Sequence, residues 1–132
     1  MSAQPWKLVP NKAIGPLEFG MDKASVRDVL GEEYKPFKKS LFSKSKTDEY
    51  KDYHVYYSKE NELEAIEIFG EIRIAYEGKA IFPGSIENAQ NLVPDLVLDS
   101  GSYISKSMSI GLYSPDGEEI EAILVGKESY YK

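Results

Sequence analysis

Tyr53-His54-Val55-Tyr56-Tyr57, the turn Lys59-Glu60-Asn61-Glu62 and the return Leu63-Glu64-Ala65-Ile66-Glu67-Ile68-Phe69 decide the fold of this chain. Tyr53, Val55 and Tyr57 recur at every second position, the period of a strand with one face buried. The polar turn and an apolar return, with Ile66 and Ile68 as its buried pair, make an antiparallel hairpin. If Tyr53, Val55 and Tyr57 face the core, His54 and Tyr56 share the opposite face with Asp52. Strict alternation puts Glu64 and Glu67 on opposite faces, and only a bulge or an edge position brings them together.

Beyond Gly70, Ile72, Ile74 and Tyr76 read as a third strand. Glu77-Gly78 then turns into a short fourth through Ala80 and Phe82. Toward the N-terminus, Lys35 to Thr47 reads as a loop or a frayed extension carrying Lys35, Lys38, Lys39, Lys44 and Lys46, a solvated basic segment. Before it, Asp22 opens a helix with Val26, Val29 and Leu30 as its apolar stripe and Gly31 as its stop. Leu17-Glu18-Phe19 is a short strand. Pro5, Pro10 and Gly15-Pro16 make residues 1–16 an irregular lead-in, with Trp6 as its anchor.

The second half follows the same order. Ser85 caps a helix with Ile86, Ala89, Leu92 and Val93 at helical spacing and Pro94 beyond its end. Leu96 to Ser102 reads as a loop, alone or with a short strand in it. Met108, Ile110 and Leu112 then alternate, Ser114-Pro115-Asp116-Gly117 turns, and a strand returns from Glu119 to Val125. Tyr56-Tyr57 followed by Leu63-Glu64-Ala65-Ile66 is matched by Leu112-Tyr113 followed by Ile120-Glu121-Ala122-Ile123. The expected fold class is α+β: an antiparallel sheet with two short helices on one face. It forms a single domain over 17–132, whose helix-plus-meander order over 17–82 and 83–126 reads either as two loosely repeated units or as generic hairpin grammar.

Composition narrows the function classes. The 132 residues contain ten tyrosines, one histidine and no cysteine, with a net charge of -6. Residues 1–47 carry nine Lys or Arg against five Asp or Glu, and residues 48–132 carry seven against seventeen. Nine of the tyrosines belong to the acidic part: Tyr50, Tyr53, Tyr56, Tyr57, Tyr76, Tyr103, Tyr113, Tyr130 and Tyr131. Tyrosine supplies rigid contact area with a polar handle, and an acidic surface selects a basic partner. A nucleic acid backbone would be repelled, so no nucleic-acid partner is expected.

Catalytic, metal and cofactor residues are not predicted. His54 lies mid-strand without a serine motif, thiolate metal sites are excluded, and no Gly-rich phosphate loop is present. Asp116-Gly117-Glu118-Glu119 lacks the spaced oxygens of a calcium loop and reads as a turn. The binding candidates are Tyr56, His54, Asp52, Glu64, Glu67, Tyr113, Glu119 and Glu121. Tyr130 and Tyr131 are either a docking tail or a frayed end. No apolar run is long enough to span a membrane and no secretory signal is read at the start, so a cytoplasmic protein is expected.

The chain resembles small bacterial immunity proteins encoded beside polymorphic toxins. The resemblance rests on Ile14-Gly15-x-Leu17-x-Phe19-Gly20-Met21 and the helix Ser25-Val26-x-x-Val29-Leu30-Gly31. It also rests on the hairpin from Tyr56-Tyr57 to Ile66 and on Met108-Ser109-Ile110-Gly111-Leu112-Tyr113-Ser114-Pro115. It implies a non-enzymatic inhibitor that occupies the active or binding surface of a toxin, including nuclease-type toxins with basic clefts. The Gly20-Met21 to Leu30-Gly31 element also resembles the start of the small α/β repeats in β-lactamase-inhibitor-like and outer-membrane-assembly lipoprotein folds. The lipoprotein comparison fails, because there is no cysteine to acylate. Two other classes remain open: a small hydrolase using carboxylates paired as Glu64 with Glu67 or Glu119 with Glu121, and a structural or regulatory domain that homodimerises through a sheet edge.

Overall fold

The computed structural model describes residues 5–31, 33–38 and 46–131. An eight-stranded sheet is built from β4 (Lys35–Lys38), β5 (Lys46–Glu49), β6 (Tyr53–Tyr57), β7 (Leu63–Ile68), β10 (Val97–Asp99), β11 (Ser102–Ser105), β12 (Ile110–Tyr113) and β13 (Ala122–Gly126). Its order is β10-β11-β12-β13-β7-β6-β5-β4, and every neighbouring pair is antiparallel. The inner face carries Tyr53, Val55, Tyr57, Ile66, Ile68, Ile110, Leu112, Ile123 and Val125, all buried. The alternation expected of β6 is therefore present, and Tyr53 and Val55 are fully enclosed.

A second, five-stranded sheet packs against that inner face. It runs β3-β2-β1-β8-β9, from β1 (Trp6–Val9), β2 (Ala13–Ile14), β3 (Leu17–Glu18), β8 (Ile74–Tyr76) and β9 (Lys79–Phe82). Leu8, Ile14, Leu17, Ile74 and Ile81 enter one core with the inner face of the large sheet, and the Trp6 ring lies 5.2 Å from that of Tyr53. The helices α1 (Lys23–Leu30) and α2 (Ile86–Leu92) add Val26, Ile86 and Ala89 to the same core. The chain is thus α+β with both helices on the inner side. No helix among the described residues is long and apolar enough to cross a membrane.

Several expectations are corrected. Residues 6–14 form β1 and β2, because Pro5, Pro10 and Gly15-Pro16 bracket short strands instead of interrupting one. Gly15 has φ +56° and lies under Trp6, where a side chain would collide with the indole. Residues 35–38 and 46–49 are paired strands, not loop. Lys39 and Lys44 of the basic segment lie outside the described residues. The strands at 74–76 and 79–82 leave the meander for the second sheet. Val97–Asp99 and Ser102–Ser105 form a hairpin around Ser100 (φ 52°) and Gly101 (φ +90°), the left-handed pair that suits a two-residue hairpin turn. Met108 precedes β12, and Glu119 and Glu121 precede β13, so those strands are shorter than their sequence pattern. Asp22 begins α1 but its side chain makes no capping bond, whereas the Ser85 hydroxyl accepts from Asn88 N–H at 3.1 Å. Within α1, Val29 is exposed and Val26 carries the contact.

The two halves meet alike. At the β7–β13 joint Ile66 pairs with Val125 and Ile68 with Ile123. With Ile66 matched to Ile123, and Ile68 to Val125, that pairing maps onto itself under a two-fold. Each helix start is tied to its hairpin turn in the same manner. Lys23 and Ile86 N–H donate to Asn61 and Glu118 carbonyls, while Leu63 and Ile120 N–H donate to Met21 and Gly84 carbonyls.

One buried charge fastens α1 to the sheet. Arg27 donates from Nε and Nη2 to the two Asp48 oxygens, each at 2.9 Å, and Tyr57 Oη donates to the same carboxylate at 2.9 Å. The Asp48 side chain is fully buried, and the guanidinium lies 4.4 Å from the centre of the Tyr34 ring. Hydrogen bonding to Asp48 holds the Arg27 pKa above its ordinary value against the opposing effect of burial.

Candidate functional site

The outer face of the large sheet gathers most of the expected binding residues. Register places one continuous row across it: Val97, Ile104, Gly111, Leu124, Glu67, His54, Glu49 and Lys35. A second row runs Gly126, Ala65, Tyr56 and Thr47. His54, Tyr56 and Glu67 are thus neighbours on one surface, opposite the core-facing Tyr53, Val55 and Tyr57. The Tyr56 hydroxyl donates to Glu67 Oε1 at 3.1 Å. His54 Nε2 lies 3.5 Å from Glu49 Oε2, an ion pair whenever the imidazole is protonated, and its ring meets Phe69 edge-on at 4.9 Å.

The bulge that would reconcile Glu64 with Glu67 exists. Tyr56 pairs with Ala65 but Tyr57 with Leu63, so Glu64 is the extra residue. Both carboxylates then act on Tyr130. Glu64 also approaches Lys127 Nζ at 3.6 Å.

Tyr130 and Tyr131 fold back over this face as a docked tail. Gly126 and Gly111 make room for them: an added Cβ on Gly126 would lie 2.5 Å from Tyr130 Cγ, and one on Gly111 would strike the Tyr131 hydroxyl. The two rings meet edge to face at 5.3 Å. Glycines inside strands are the sequence signal for such a close approach. The tail follows from them more than from its own residues.

Electrostatics fix the phenols in their protonated form. Burial first, then Glu67, raises the pKa of Tyr56, and burial with Glu64 and Glu67 raises that of Tyr130. Tyr131 is pushed up to about 12 by burial, with Tyr130 and Glu67 adding to it. On the inner face, burial and then Asp48 raise Tyr57. An unfolded tyrosine ionises near pH ~10. The folded chain therefore keeps protons that the unfolded chain loses, and the resulting stability is complete below that pH. It is lost as pH rises from ~10 through 12 and beyond. In an alkaline titration, ionisation of Tyr56, Tyr57, Tyr130 and Tyr131 should coincide with loss of circular dichroism.

Gly126→Ala tests the tail directly. The methyl group collides with Tyr130 at the root of its ring, so the tail must lift, at a cost of about 1–3 kcal/mol. Urea unfolding should register that loss, and the Tyr130 phenol should titrate closer to its ordinary value. Gly111→Ala meets only the hydroxyl end of Tyr131, which can swing aside, and should cost less.

The remaining candidates stand apart. Asp52 belongs to the turn before β6, where Oδ1 accepts from Glu71 N–H at 3.1 Å and the backbone carbonyl accepts from Phe69 and Gly70. It shapes the end of the hairpin. Tyr113 is on the outer face, 48% exposed, but opposite Ala122 in another row. Three strand spacings, roughly 14 Å, separate its strand from that of Tyr56. Tyr113 with Glu121 occupies in the second half the place of Tyr56 with Glu64 in the first. Glu119 lies at the start of α2, in a hollow lined by Ser85, Glu87, Gly117 and Glu118. Glu49, Phe69 and Lys127 join the outer face without having been anticipated.

Among the described residues, no group of three or more His, Asp or Glu side chains is placed to hold a metal ion. Compared with family models, curated proteins and solved structures, the chain matches none.

Proposed function

We propose that this chain is a non-enzymatic protein-binding module of the immunity type. It would neutralise a cognate bacterial toxin by covering a basic surface with the outer face of its large sheet. The observation that supports this reading is the grouping on that face of Tyr56, Tyr130 and Tyr131 with His54, Glu49, Glu64 and Glu67. The rings are held over a glycine and alanine floor, so they are presented with little conformational freedom left to lose, a property of binding hot spots. The half-exposed carboxylates around them add steering and partner choice. A nuclease-type toxin, whose cleft is basic because its substrate is a polyanion, is the partner chemistry that fits.

The product of a neighbouring toxin gene is the probe. Calorimetry at two salt concentrations should show a complex that weakens as salt rises. Tyr56→Ala should weaken it about 10- to 100-fold, an anchor-sized loss. Glu67→Lys should mainly slow association. No complex, or no protection of cells from that product, would sink the proposal.

A further inference from the structure

The two edges of the large sheet are built differently. The β4 edge carries Lys35 and Pro36, residues that discourage edge pairing. The β10 edge has neither lysine nor proline within it, and Val97 and Leu98 are 64% and 59% exposed. No other large hydrophobic side chain among the described residues is so exposed. Beside it lies a hollow of about 360 Å³ lined by Asp95, Val97, Leu98, Asp99, Ile104 and Lys106. The far side of that hollow is stiff. Asp95 accepts from Ser105 Oγ at 2.6 Å and from Ser107 Oγ at 2.7 Å, tying the start of β10 to the β11–β12 turn.

We propose that β10 is a self-association edge, which pairs antiparallel with β10 of a second copy about a two-fold normal to the sheet. Centred on Leu98, the register sets Leu98 against its own copy and Val97 against Asp99 of the other chain. Charge complementarity favours this occupant. Val97 pairs with Ile104, which shares the hollow with Lys106 and Asp95; Asp95 is already engaged by Ser105 and Ser107, so the incoming Asp99 carboxylate has Lys106 as its opposite charge. The two-fold repeats that contact. Side-chain alternation continues across the joint, so the outer faces of both copies become one surface. A three-residue edge is a small contact, and the dimer is weak and concentration-dependent. This inference uses neither Tyr56 nor the tail and does not depend on the toxin-binding reading.

Light scattering and sedimentation equilibrium of the full chain over a wide concentration range test it. The expected result is a monomer–dimer equilibrium. Leu98→Lys should weaken it at least about 10-fold, an anchor-sized loss, with an unchanged thermal midpoint, since the side chain is exposed. Asp99→Lys should also weaken it, and Asp99→Lys combined with Lys106→Asp should restore it. A monomer at the highest concentration overturns the proposal. So does a dimer indifferent to Leu98→Lys, or a double variant no better than Asp99→Lys alone. An extended segment of another protein on β10, with no self-association, is also an outcome against it.

Discussion

Arg27→Ala is expected to destabilise the chain by about 3 kcal/mol, at the lower end of what breaking a buried ion pair costs. The cost arises at Asp48 more than at Arg27. The Asp48 side chain is fully buried, and without the guanidinium it loses its bidentate positive partner and keeps the Tyr57 hydroxyl. The Arg27 side chain is itself 28% exposed, so water can enter the vacated place, which argues against the upper end of the range. For a chain of this length the loss should lower the thermal midpoint by roughly 10 °C. Asp48→Asn should cost less, because the amide keeps the shape and the freed guanidinium can turn to solvent. The sharper comparison is Arg27→Met with Asp48→Leu and Tyr57→Phe, which removes every polar partner at once. It should recover most of the stability, since desolvation offsets much of what a buried pair contributes. If Arg27→Ala leaves urea unfolding unchanged, the cluster is not what holds α1 to the sheet edge.

That cluster was illegible in the sequence for a definable reason. Arg27 and Asp48 are 21 positions apart, and Asp48 sits in Lys46-Thr47-Asp48-Glu49, which has no apolar alternation to announce a strand. The partner strand β4 lies at an edge and contains a proline. Strand periodicity reports a difference between two faces, and an edge strand wet on both sides has little difference to report. β6 and β7 were legible because one face of each is buried to near zero exposure. β3, β8 and β9 are legible as strands, but the second sheet they belong to escapes because β1 and β2, which complete it, are short and the residues that break them stand at their ends. On the outer face, His54, Tyr56 and Glu67 followed from alternation. Glu64 joined them only through a bulge, whose need was visible though its place was not. Asp52 lies in the bend before β6, Glu119 in an isolated bridge to Ser85, and Glu121 just before β13, so strand alternation alone does not place them.

Tyr53 and Tyr56 are three positions apart and should respond in opposite ways. The Tyr53 side chain is fully buried, with the Trp6 ring at 5.2 Å and the Tyr50 ring at 5.1 Å. It joins β6 of the large sheet to β1 of the second, so its truncation opens a cavity where the two sheets meet. Tyr53→Ala should cost about 3–5 kcal/mol, the range for removing a buried aromatic side chain. Tyr56→Ala removes a half-exposed ring and one hydrogen bond to Glu67, and should cost about 1 kcal/mol. Partner binding should reverse the order. Tyr53→Ala leaves the outer face unchanged in any molecule that still folds, whereas on the proposed binding role Tyr56→Ala should remove an anchor and weaken the complex about 10- to 100-fold. Urea unfolding and calorimetry on the same two variants therefore separate a tyrosine that builds the sheet from one that the sheet presents. A mild Tyr53→Ala beside a severe Tyr56→Ala in unfolding would mean that the two faces are assigned the wrong way round.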